Sequence, residues 1–90
     1  MARLGMDDAE VERVGNSLKT QANQLHDVMN QIGALVSQAV AVWEGNDAVQ
    51  FQDWWNSQHK PALEQARQAI EGLGQSALSN VAAQRDVSGR

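Results

Sequence analysis

Ninety residues make one domain at most. A chain of this size buries only about 60–65% of the surface its unfolded form exposes and is marginal without reinforcement. With no cysteine, disulfides are excluded and the commonest zinc frameworks go with them, which points to partnership with another chain. Seven basic against eleven acidic side chains give a formal charge of -4, which offers neither the basic patch of a nucleic-acid binder nor attraction to anionic lipid.

One proline, one phenylalanine and no tyrosine leave few places for strands, which want β-branched and aromatic residues in alternation. The expected fold class is all-α: an antiparallel helical hairpin, residues 1–90, dimerising into a four-helix bundle. The opening Met1-Ala2-Arg3-Leu4-Gly5-Met6-Asp7-Asp8 lacks the apolar run of a secretory signal. No stretch approaches a membrane span, so stable membrane insertion is not expected.

The first helix is expected over about 8–42. Asp7 and Glu10 have capping-box spacing, and Met6 and Val11 stand where a hydrophobic staple would place them. Asp8, Glu10 and Glu12 put negative charge at the helix start, where the dipole favours it. A heptad then runs unbroken. Val11, Val14, Leu18, Gln21, Leu25, Val28, Ile32, Leu35, Ala39 and Val42 fill the a and d positions, with Gly15, Ala22, Met29, Val36 and Trp43 at e. A two-stranded coiled coil needs only a and d; the added e position widens the stripe to what a helix touching two neighbours requires. The rod would be about 50 Å long.

The pattern breaks at Trp43-Glu44-Gly45-Asn46-Asp47, the expected turn over 43–47. Gly45 can take φ > 0 just past the helix end, and Asn46 or Asp47 can cap the next helix. So short a connection forces two long helices antiparallel. The second helix is expected over about 48–84. Its face reads Ala48, Phe51, Trp55, His59, Ala62, Ala66, Ala69 or Ile70, Leu73, Ala77 and Val81. Pro61 predicts a kink or restart, and residues 85–90 read as a frayed or flexible tail. The expected hairpin and dimer core is Val11, Val14, Leu18, Leu25, Val28, Met29, Ile32, Leu35, Val36, Phe51, Trp55, Ala62, Ala66 and Leu73.

No catalytic constellation is visible. His26 and His59 lack partners in sequence and read as surface or bundle-edge residues, so no metal or cofactor is expected. No serine sits in a nucleophile elbow and no glycine-rich phosphate loop occurs. Trp54 and Trp55 point about 100° apart on a helix, so one can enter the core while the other faces outward. Two readings of the three tryptophans stay open: core filler near the turn, or Trp43 lining a surface groove or anchoring an interface.

A long helix, Trp43-Glu44-Gly45 at mid-chain, then Ala48 and Phe51 opening a second long helix: this resembles the WXG family of type VII secretion proteins, related to the early secreted antigenic target of mycobacteria. The likeness covers nearly the whole chain, and the run from Phe51 through Trp54-Trp55 to Pro61 is similar to actinobacterial members. The resemblance makes Trp43 and Gly45 the turn motif. It implies a non-enzymatic protein made in the cytoplasm and secreted without a cleavable signal peptide. The form exported would be a folded homo- or heterodimer, with itself or a paralogous WXG-family protein and the type VII secretion ATPase and machinery as partners. In the family, export uses a Tyr-x-x-x-Asp/Glu tail on one protomer beside the Trp-x-Gly turn of the other. This sequence has no tyrosine, and Ala82-Ala83-Gln84-Arg85-Asp86-Val87 offers no substitute, which suits a partner supplying only the turn. The alternatives are a non-secreted helical adaptor or chaperone for a larger secreted effector, and a helix-turn-helix regulator, which the acidic charge and over-long helices disfavour.

Overall fold

A computed structural model describes residues 5–88. They form a hairpin measuring 67 × 17 × 16 Å, all helical apart from the connection and the entry to the first helix. Helix α1 runs Asp8–Ala41, α2 runs Asn46–Trp54, and α3 runs Lys60–Ser88. A π-helical turn, Trp55–His59, joins α2 to α3 without a break. The chain therefore makes two rods, α1 and the α2–α3 continuum.

The start of α1 follows from its sequence. The Glu10 amide donates to Asp7 Oδ1 at 3.2 Å, one half of a capping box. The Glu10 carboxylate also accepts from Arg13 one turn on. At the far end α1 tightens: the Val42 amide donates to Ala39 O and the Trp43 amide to Val40 O, both at 3.3 Å, spacing that belongs to a 3₁₀ turn.

Which side of the apolar stripe the hairpin itself uses is clear from burial. The buried residues of α1 are Gly15, Ala22, Met29 and Val36, all at e and seven apart. The a residues Val11, Leu18, Leu25 and Ile32 flank this line half-buried, whereas the d residues Val14, Val28 and Leu35 stand exposed. The d position lies about 100° around the helix from e, so a single antiparallel neighbour seated on e cannot also cover d.

The seam tapers. Near the open end a Cβ placed on Gly74 would lie 2.8 Å from the Gly15 carbonyl oxygen, so only glycine permits the observed approach. Towards the turn the seam residues grow, through Ala22 to Met29, Val36 and the indole of Trp55. Bulk sets the interaxial distance in helix pairs, so glycine pulls one end close and tryptophan holds the other apart.

The second rod departs from the face expected for it. Pro61 has no amide hydrogen and its ring crowds the carbonyl four residues back. The helix accommodates it by a π turn immediately upstream, in which the Lys60 amide donates to Trp55 O, five residues back. The Ser57 hydroxyl donates to Asp53 O at 2.6 Å within this stretch. One additional residue in the turn rotates everything after it by about 100°. The line begun by Ala48 and Trp55 therefore continues through Leu63, Arg67 and Gly74 in place of the expected Ala62, Ala66 and Leu73, and through Ile70, Ala77 and Val81, which the expected face already held, Ile70 as one of two options. Ala62, Ala66 and Leu73 are exposed in the hairpin, Leu73 to 61%.

The tail expected to fray is helical as far as Ser88, and residues 89–90 lie outside the described residues. Arg85 explains the order: its guanidinium donates to Asp8 Oδ2 at 3.0 Å and to Glu12 Oε2 at 3.0 Å, clasping the end of α3 to the first turn of α1. That hydrogen bond holds the Asp8 carboxyl below its ordinary pKa. Midway, Arg67 is gripped by Glu64 and Glu71, both at 2.7 Å, and Glu64 also accepts from Gln68, so its pKa falls to about 2.

Candidate functional site

The functional surface with the most structure to it lies at the turn. Gly45 adopts φ 107°, ψ -178°, the only positive φ among the described residues, a region closed to residues bearing a Cβ. It serves as the N-cap of α2 rather than as the C′ residue of α1. Asn46 and Asp47, expected to cap, are already inside the first helical turn and make no capping bond to its amides. The helix starts early because glycine is tolerated at N-cap, and Asp47 still sets a negative charge on the positive end of the dipole.

Ending α1 at Ala41 lifts Trp43 out of the seam it would have joined at the next e position. Its ring packs instead on Phe51, centroids 5.3 Å apart and planes 46° apart, and stays 41% exposed. Trp54 and Trp55 divide: Trp55 is buried in the seam, whereas Trp54 is 54% exposed, edge-on to His59 with centroids 6.1 Å apart. Between the rods lies a groove of about 330 Å³ lined by Ile32, Val36, Phe51, Trp54, Trp55 and His59. A second hollow of about 240 Å³ is lined by Trp43, Asp47, Gln50, Phe51 and Trp54. Phe51 and Trp54 are the wall between the two.

Chemically, this is a place to seat apolar or aromatic side chains, with Asp47, Gln50 and His59 as polar margins. Among the described residues no three of His, Cys, Asp or Glu come together in a way that could hold a metal ion. His26, on α1, is exposed and lines neither hollow.

Of the residues expected in the core, Met29, Val36 and Trp55 are buried in the seam, and Val11, Leu18, Leu25 and Ile32 border it. Val14, Val28, Leu35, Phe51, Ala62, Ala66 and Leu73 are turned to the outside of the single hairpin. Val81, and Ala77 before it, lie on the face expected for the second helix, whereas Leu63, Arg67 and Gly74 were not expected in the seam, nor Arg85 as a clasp. A glycine and two arginines have no weight in a hydrophobic pattern.

With the Trp-x-Gly turn seated between two long antiparallel rods, the comparison with known families is decisive. The model described as "Proteins of 100 residues with WXG" matches residues 3–86. The chain belongs to the WXG100 family. Comparison with curated proteins and with solved structures returns no match. The WXG100 family is one of small secreted proteins without enzymatic activity, and the early secreted antigenic target-like, type VII secretion assignment follows from membership. In WXG100 terms, Trp43 and Gly45 have separate tasks: the glycine supplies a backbone angle, and the tryptophan supplies a half-exposed aromatic face. No helix among the described residues is long and apolar enough to cross a membrane.

Proposed function

We propose that this WXG100 protein is exported by a type VII secretion system as a folded dimer and acts through protein–protein contact. The dimer is an antiparallel four-helix bundle formed with itself or a paralogue. The chain is made in the cytoplasm, leaves without a cleavable leader, and engages the secretion ATPase through the surface around Trp43. The observation that carries this reading is the row of exposed d residues on α1: Val14, Val28 and Leu35 are 39%, 45% and 61% exposed in the hairpin. Fully burying such a side chain contributes about 1.5–3 kcal/mol, which favours covering the row with a second hairpin.

Trp43 contributes to recognition more than to packing in this reading, since it touches Phe51 and the outer hollow rather than the seam. The recognition surface is completed by the tail of the partner. Trp43→Phe keeps much of the apolar volume and loses the indole N–H and outline. The expected outcome is a dimer with little change in melting temperature and a sharp fall in extracellular protein from a type VII-competent host. Removing Asp86 to Arg90 leaves the Arg85 clasp in place, and both folding and export are expected to continue. Export that survives Trp43→Phe but stops on tail removal would overturn this division of labour.

A further inference from the structure

Charge is unevenly placed along this chain. No Lys or Arg occurs between Lys19 and Lys60, whereas Glu44, Asp47 and Asp53 stand exposed at the turn or beside it. None of these three carboxylates takes part in an ion pair among the described residues. Lys60 lies beyond the π turn. Helix dipoles do not offset the imbalance: the negative end of α1 and the positive end of α2 meet at the turn, about half a charge each, and cancel. The turn end is therefore negative, and it is also where Trp43, Phe51 and Trp54 are exposed. The outer hollow combines the two properties. Asp47, Gln50, Phe51 and Trp54 stand at i, i+3, i+4 and i+7 of α2, positions that surround one point on a helix surface. The turn lays Trp43 against Phe51 as a further wall. Aromatic rings thus adjoin a carboxylate and an amide in one open space of about 240 Å³. The inner groove differs, since no carboxylate lines it.

We propose that the outer hollow is a docking site for an arginine side chain of a partner protein. The proposal rests on the reading of Trp43 as part of a recognition surface and names the group recognised there. Charge decides the sign. The carboxylates around the turn draw a cation and repel an anion within a screening length of about 8 Å. Chemistry decides which cation. The quadrupole of an indole attracts positive charge held over its face. A guanidinium is planar and weakly hydrated, so it can stack on a ring while its N–H groups donate to the Asp47 carboxylate and the Gln50 amide oxygen. A quaternary ammonium has no N–H to give them. A lysine ammonium is compact and strongly hydrated, which suits it less to stacking. An apolar side chain would take water from Asp47 and return no hydrogen bond. Size favours a single side chain over a free ligand: 240 Å³ falls below the range of about 300–1,000 Å³ that drug-sized molecules occupy.

The test is an NMR titration of the full chain, isotope-labelled at tryptophan, with N-acetyl-arginine amide as the probe. The indole N–H signals of Trp43 and Trp54 are expected to move saturably while that of buried Trp55 stays in place. N-acetyl-citrulline amide, of similar shape but uncharged, should move none of them. Asp47→Asn should weaken binding roughly threefold, the size of an exposed ion pair, and Asp27→Asn, midway along α1, should leave it unchanged. Both positions are exposed, and circular dichroism confirms that each variant stays helical. Equal movement with citrulline would remove charge from the account. Equal or tighter binding of tetramethylammonium or N-acetyl-lysine amide would overturn the guanidinium assignment, and so would three indole signals that all move alike or not at all. Export separates this proposal from the reading beneath it. If Trp43→Phe stops export although the arginine probe does not bind, the recognition surface stands and the arginine site falls. If the probe binds as expected but Trp43→Phe and Asp47→Asn are both exported normally, the arginine site stands and its part in export falls.

Discussion

The turn end and the open end of this hairpin hold the same two rods together by opposite means. At the turn end, Trp55 and Val36 fill the space between helices, and the exposed rings of Trp43, Phe51 and Trp54 build two hollows around them. At the open end there is almost nothing to fill: Gly74 lies against the Gly15 backbone, and Arg85 ties the helix tips from outside. Stability at the first end comes from apolar volume; at the second it comes from the absence of side chain. A volume deletion should therefore hurt the turn end, whereas a volume addition should hurt the open end.

The largest effect is expected from Trp55→Ala. Emptying a buried indole site costs about 3–5 kcal/mol, read as the loss of unfolding free energy in denaturant. The same kind of truncation at exposed Trp54 should cost far less, and equal losses at both would show that the seam does not run through Trp55. Next comes Gly74→Val. A branched side chain would have to displace the Gly15 carbonyl, at about 2–3 kcal/mol of overpacking despite better helix propensity. A variant more stable than wild type would mean that the rods separate freely there. Gly45→Val should cost about 1–2 kcal/mol through its backbone angle alone, since nothing lies within 4 Å of where its Cβ would be. Gly45→Ala should lose nearly as much, and a large difference between the two would point to crowding instead.

The smallest effect belongs to the clasp. Arg85, Asp8 and Glu12 are all about half exposed, where water and salt weaken ion pairs. Arg85→Ala should increase amide exchange near residues 81–88 at low ionic strength and much less in molar salt. The sign with pH comes from Asp8. Its pKa is lowered in the folded chain, chiefly by the Arg85 hydrogen bond, so this contribution is complete above the ordinary carboxylate range near 4 and disappears as pH falls through the depressed folded value. Exchange at the C-terminal turn should rise below pH 4 in the wild type. In Arg85→Ala that acid-induced rise should be largely missing.

Much of the fold is legible in the residues. The Asp7 cap, the long heptad stripe and the positive φ of Gly45 each have a local cause, and local causes leave local signatures. The stripe also indicates that α1 has more than one neighbour to satisfy. It does not say which positions serve which neighbour, because a, d and e are equally apolar by type. Burial shows that the hairpin takes e, where glycine and alanine let the rods come near. The π turn is hidden for a different reason. Pro61 signals a disturbance, but whether a helix bends or takes in a residue is decided by what the downstream face must meet. Here that face includes Arg67 and Gly74, which a search for apolar periodicity passes over in favour of the neighbouring alanines. Arg85 reads as tail because its partners lie more than seventy positions away in the chain.

Bringing the start of α1 and the end of α3 to one place has a mechanical consequence. Tension applied to the end of α3 and resisted at the start of α1 acts across the seam, not along it, so contacts separate in succession as in a zipper. The Arg85 clasp goes before the bare glycine contact, and each is weak under such a load. Resistance then climbs towards Met29, Val36 and Trp55, where bulky side chains must be pulled out of register together. A machine drawing this chain in by its C-terminus would meet a soft start and a hard stop at the tryptophans, whereas one that gripped the turn would have to move the whole rod.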